Sequence, residues 1–96
     1  MKQLGDLKNV GKATLADLKL LGIRSVEQLA LEDATELFHR METITKTRQD
    51  PCVWDVFAAI IHEAKTGEPT VWWAWTPQRK AMQKTGAFRH VQDIVE

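Results

Sequence analysis

The stretch from Asp50 to Gly67 constrains this chain most, because it carries both the start and the stop of a long apolar helix. Asp50 offers a carboxylate to unpaired amides, and Pro51 stands at the first helical position, where a missing N–H does no harm. From there Val53, Trp54, Val56, Phe57, Ile60, Ile61 and Ala64 recur at three- and four-residue spacing until Gly67 ends the run. An apolar face this broad belongs in the middle of a core, so the other elements are expected to pack around it. A chain of 96 residues supports one such core and not two.

The remaining elements read as helices as well. Ala13, Leu15, Ala16, Leu18 and Leu21 give an apolar stripe that stops at Gly22, with Ile23 expected to pack behind the terminator. Ser25 with Gln28, and Asp33 with Glu36, are capping pairs for two further helices. Val71-Trp72-Trp73-Ala74-Trp75 has strand-like residues but no partner strand nearby, which predicts an ordered loop. Thr76-Pro77 repeats the cap-then-proline pattern and launches a last helix through about Gln83. Beyond it only Phe88, Val91, Ile94 and Val95 form a weak stripe, so the tail is expected to be helical or frayed. The expected fold is therefore all-α, a bundle of about five short helices over residues 3–83, followed by a C-terminal tail, 84–96.

Charge narrows the possible partners. The formal net charge is zero, which argues against coating a polyanion through bulk electrostatics. Residues 1–24 nevertheless hold five bases (Lys2, Lys8, Lys12, Lys19, Arg24) against two acids, whereas 25–50 hold six acids against three bases. Any anionic ligand is thus steered to the N-terminal end. Hydrophobic residues at 44% fit a globular chain, and no run approaches the roughly 20 apolar residues of a membrane span. Cys52 is the only cysteine, which fits a reducing, cytoplasmic compartment.

Leu4-Gly5-Asp6-Leu7-Lys8-Asn9-Val10-Gly11-Lys12-Ala13-Thr14 is the informative stretch for function. It resembles a helix-hairpin-helix motif: a short helix, a Gly-hydrophobic-Gly bend, and a second helix ending in Leu21-Gly22-Ile23. Asn9 stands where the motif has its first glycine, and asparagine is the next best residue for a left-handed backbone. At a helix start the first amides lack intrahelical partners and the peptide dipoles add positive potential. Val10, Gly11 and Lys12 can therefore offer N–H groups to a phosphate, with Lys8, Thr14 and Lys12 side chains around it. The resemblance implies sequence-blind contact with a DNA backbone, carried over to Val10, Gly11, Lys12 and Thr14; Lys8 and Asn9 join these as candidate phosphate-binding residues from the charge and backbone of the bend. In some members a monovalent cation is held by hairpin carbonyls; no other cofactor is expected. The alternative is a hairpin of 4–22 that only joins two packed helices.

Two further blocks, Thr47-Arg48-Gln49-Asp50-Pro51-Cys52-Val53-Trp54-Asp55-Val56-Phe57 and Trp72-Trp73-Ala74-Trp75-Thr76-Pro77, are more specific. With them the chain resembles the pathogenicity locus family, also described as mitomycin-resistance-type helix-hairpin-helix proteins, over roughly residues 3–81. That resemblance implies a helix-hairpin-helix, SAM-like bundle, and no settled activity.

Catalysis has little support. Cys52 lies in a first helical turn, where a thiol pKa can fall, but His62 is about 15 Å further along the same helix. Packing explains Cys52 better. His39, His62 and His90 form no metal-binding spacing and are expected at the surface or half-buried. Asp55 and Glu63, about 12 Å apart by helical rise, read as solvated or salt-bridged carboxylates. Arg48 and Gln49 are a possible functional loop. Trp72, Trp73 and Trp75 serve either as packing or as an exposed platform for bases or a protein partner. Two functions stay open: weak, non-specific DNA binding by a non-enzymatic module, or a protein-interaction domain using the tryptophan segment.

Overall fold

The computed structural model describes residues 2–93 of the chain. Five helices follow in order: α1 Lys12–Leu20, α2 Val26–Ala30, α3 Ala34–Thr45, α4 Cys52–Thr66 and α5 Thr76–Thr85. Single 3-10 turns at Leu4–Asp6, Trp72–Trp75 and Val91–Asp93 precede α1, precede α5 and follow it. No strand occurs among the described residues, and the chain forms the all-α bundle that its periodicity predicts.

α4 is the axis of the core. It buries Trp54, Phe57, Ala58, Ala59, Ile60 and Ile61, and α2, α3 and the Trp72–Trp75 turn all pack on it. Each large apolar side chain removed from water in this way contributes about 1.5–3 kcal/mol before the loss of conformational entropy is counted. α1 sits at the edge, against the Leu4–Asp6 turn. It buries Leu18 and half-buries Leu15, while Ala13, Ala16 and Leu20 face solvent, so its apolar stripe is narrower than the sequence suggests.

The local punctuation acts where it was expected. The Ser25 hydroxyl accepts the N–H of Gln28 at 3.1 Å, and an Asp33 carboxylate oxygen accepts that of Glu36 at 3.0 Å. Gly22 turns left-handed at φ +80°, and the N–H of Ile23 then reaches the Leu18 carbonyl at 2.9 Å, which drives Ile23 into the core. At α4, Asp50 Oδ1 accepts the N–H of Cys52 at 2.8 Å, the capping bond expected of it, but the helix starts at Cys52, so Pro51 stands at the cap position rather than at the first helical one.

Three features differ from expectation. The Trp72–Trp75 segment is a 3-10 turn rather than a loop: with no strand to pair with, its backbone satisfies itself, Ala74 N–H on the Val71 carbonyl at 3.1 Å. Thr76 is not a cap, because Trp75 occupies that place and the Thr76 hydroxyl turns to Asp55 instead. Residues 87–93 pack on the core as an irregular segment with one 3-10 turn rather than as a helix or a loose end: Phe88 is buried, with its ring 4.9 Å from that of Phe38 and 6.4 Å from that of Trp54. Of the weak C-terminal stripe, Ile94 and Val95 lie outside the described residues.

Candidate nucleic-acid interface

Residues 7–11 form the bend between the first 3-10 turn and α1. Asn9 holds the left-handed conformation at φ +73°, and its side-chain Nδ2 donates to the Thr70 carbonyl at 2.7 Å. One residue earlier, the N–H of Lys8 donates to Glu63 Oε1 at 2.9 Å. The other carboxylate oxygen of Glu63 pairs with Lys2 Nζ at 3.0 Å. Glu63 is buried in α4 and thus pins the approach to the bend from inside, while Asn9 pins its crest to the tryptophan segment. The bend is thus tied to the rest of the fold at two adjacent residues.

Hydrogen bonding within the chain decides which amides remain for a ligand. The Val10 N–H donates to the Leu7 carbonyl at 3.2 Å, and the half-buried Val10 side chain packs on the core, so Val10 is structural. The first backbone bond of α1 comes from Leu15, to the Gly11 carbonyl at 2.9 Å. Among the described residues the Gly11 N–H has no acceptor, and neither do those of Lys12, Ala13 and Thr14 in the first turn of α1. Gly11, the cap residue, has no side chain to supply one. Gly11, Lys12 and Ala13 are exposed, Thr14 is half-buried, and the Lys8 and Lys12 side chains form no ion pair among the described residues. Three neighbouring donors at the positive end of a helix dipole, with a lysine beside them, can hold an anionic oxygen. Ala13 was not among the expected residues; the rule that the first helical amides are orphaned would have included it.

Arg48 and Gln49 are engaged within the chain. Arg48 pairs with Asp93 through two bonds, 3.0 and 2.8 Å, on an exposed surface, and this pairing holds the Asp93 carboxyl below its usual range. The Gln49 N–H donates to Glu42 Oε2 at 2.8 Å, and its amide group to Thr45 Oγ1 at 3.2 Å. Glu42, fully buried, also accepts from His90 Nδ1 at 2.6 Å and from the Val91 N–H at 2.8 Å. His39 Nε2 lies 2.7 Å from the Arg89 carbonyl. These bonds bind the segment after α5 to α3. Unlike the half-buried His39 and His62, His90 is buried, because Glu42 supplies the partner that burial requires.

The two specific sequence blocks meet at Asp55. This carboxylate is buried, not solvated, and receives Arg79 and Thr76 from α5. The Cys52 thiol beside it is pushed up in pKa by burial first and by its contact with Asp50 second, the reverse of an activated nucleophile. Among the described residues, no group of three or more His, Cys, Asp or Glu is placed to hold a metal ion. No helix there is long and apolar enough to cross a membrane.

The fold and this arrangement define a small all-helical domain whose exposed bend is braced by one buried carboxylate, Glu63. The chain belongs to the pathogenicity locus family, whose model matches residues 1–81. No curated protein and no solved structure matches it. The family match ends inside α5, so Phe88, His90 and the turn Val91–Asp93 lie beyond it although they are packed into the same core.

Proposed function

We propose that the chain is a cytoplasmic, non-enzymatic DNA-binding module that holds a backbone phosphate at the start of α1, residues 4–22 acting as a helix-hairpin-helix. The observation that carries this reading is the run of three unpartnered amides, Lys12 to Thr14, behind an exposed glycine cap. Lys12 and Lys8 supply charge, and the Thr14 hydroxyl a further donor. Contacts of this kind position the backbone and read no base, so binding is sequence-blind and weak, roughly 10⁻⁴–10⁻⁶ M at physiological salt. Support for the non-enzymatic part comes from Cys52, whose thiol is held protonated; the lone cysteine also suits a reducing compartment.

The test is an amide NMR titration with duplex DNA at low and moderate salt. Shifts confined to Asn9 through Thr14 that vanish in Lys12→Glu are the expected result. Shifts centred instead on Trp72–Trp75, where Trp73 is 59% exposed, would transfer the function to a protein or base-stacking platform.

A further inference from the structure

A groove of about 470 Å³ opens along α1, away from the bend, and falls within the roughly 300–1,000 Å³ typical of ligand sites. Its floor is apolar: Leu15 and Val26 are half-buried, with Leu4 and Ile23 fully buried beneath. Its rim is cationic, with Lys2, Lys19 and Arg24 against a single acid, Glu27. Lys2 is already paired with Glu63, whereas Lys19 and Arg24 are exposed and carry no ion pair among the described residues. Lys19 stands seven residues after Lys12, which is two helical turns along the same face and about 10 Å along the axis. The lysine row of α1 therefore leads from the unpartnered amides to this groove.

A continuous duplex cannot use both features. It presents phosphates but keeps its bases stacked inside, so the apolar floor would stay wet beneath it. A single strand offers an anionic oxygen and a flat apolar face within one nucleotide, the combination that a cationic rim over an apolar floor fits. We propose that the groove takes an unstacked nucleotide of a single strand, its base on Leu15 and Val26 and its phosphate on Lys19 and Arg24. The preferred ligand of the domain is then a junction of duplex and single strand. This rests on the phosphate reading of the α1 amides, since one nucleic acid is to occupy both places.

The test is fluorescence anisotropy of the full chain with three labelled probes: a blunt duplex, the same duplex with a single-stranded overhang, and the free single strand. The overhang is expected to bind roughly fivefold or more tighter than the blunt duplex, what removing about 40 Å² of apolar surface from water contributes. Val26→Glu, and separately the rim pair Lys19→Glu with Arg24→Glu, should abolish that gain and leave blunt-duplex affinity within about twofold for Val26→Glu. Circular dichroism confirms that each variant is folded; the rim variant, at exposed positions, keeps the test usable should Val26→Glu unfold. Equal affinity for overhang and blunt duplex, or a gain that survives in a folded groove variant, overturns the proposal. Wild-type binding to the blunt duplex tests the hairpin reading by itself, so the two can fail separately.

Discussion

Arg79 of α5 closes on Asp55 of α4 with two prongs, Nε to Oδ1 at 2.9 Å and Nη2 to Oδ2 at 3.2 Å. The Thr76 hydroxyl adds a third bond to Oδ2 at 2.6 Å, and Gln83 steadies the guanidinium from the next turn at 3.2 Å. Asp55 keeps Arg79 firmly protonated, raising its pKa. Segments 24 residues apart on successive helices are thereby fastened at one buried point, and the fastening sets how α5 lies on α4.

Removing one partner should therefore be costly. Asp55→Ala leaves a mostly buried guanidinium without its counter-charge, and an expected loss of about 3–5 kcal/mol would appear in urea denaturation. The double variant Asp55→Met with Arg79→Met should lose less than Asp55→Ala alone, because it strands no charge. A single-variant loss below about 1 kcal/mol would show that the pair does not hold the helices.

Asn9 combines two duties that substitution can separate. Asn9→Gly keeps the left-handed backbone and gives up only the bond to Thr70, a loss of about 1 kcal/mol. Asn9→Ala gives up both and should lose about 1–2 kcal/mol more. Thermal midpoints of the two variants check the order, and alanine at or above glycine would contradict it.

Stability should fall on the acid side through Glu42. Burial by itself raises this carboxyl, but His90 and the amides of Gln49 and Val91 outweigh it, leaving the pKa below its ordinary 4.5. A carboxyl depressed in the folded state stabilises fully above its unfolded pKa, and that contribution disappears as pH drops through the folded value. Urea midpoints from pH 7 down to about 3 should decline more steeply in the wild type than in Glu42→Gln, which has no titrating group there. Parallel curves would remove Glu42 from the acid limb, which Asp50 and Asp93, also lowered, would then carry.

DNA affinity should depend on salt with a small slope, because few phosphates are contacted. Lys12→Ala is expected to lower the slope of log K against log salt by about one, with a similar drop for every sequence tested. An unchanged slope would place Lys12 away from the phosphates.

The segment beyond the family match is part of the fold. Phe88→Ala should destabilise by about 3–5 kcal/mol, as removal of a buried phenyl ring does. The near-ultraviolet signal of Trp54, whose ring Phe88 meets edge-on, should change with it. A variant of wild-type stability would mean that the tail docks without supporting the core.

Several of these relationships lie beyond a reading of periodicity. Glu63 and Asp55 sit on a helix identified from its apolar spacing, yet nothing nearby in sequence names their partners: Lys2 is 61 residues from Glu63, and Arg79 is 24 from Asp55. One signal was available. Thr76 and Arg79 lie three apart, as do Cys52 and Asp55, so each pair shares a helix face once the helices are drawn. The burial of His90 had no such sign, because it follows from Glu42 reaching across to a segment with weak patterning.

What the amino-acid order determined by itself is what acts within about four residues: the apolar faces of α3 and α4, the caps at Ser25, Asp33 and Asp50, and the left-handed stops at Gly22 and Gly67. Helical hydrogen bonds and caps are local, so spacing and residue type suffice to place them. Tertiary packing decided how the bend is held, whereas the free amides in the first turn of α1 follow from the local rule for helix starts. Glu63 takes the Lys8 N–H, the Thr70 carbonyl takes the Asn9 side-chain amide and Leu7 takes the Val10 N–H, while the N–H groups of Lys12, Ala13 and Thr14 keep no acceptor among the described residues. Partners 55 and 61 residues away hold Lys8 and Asn9, and only proximity in three dimensions brings such partners together.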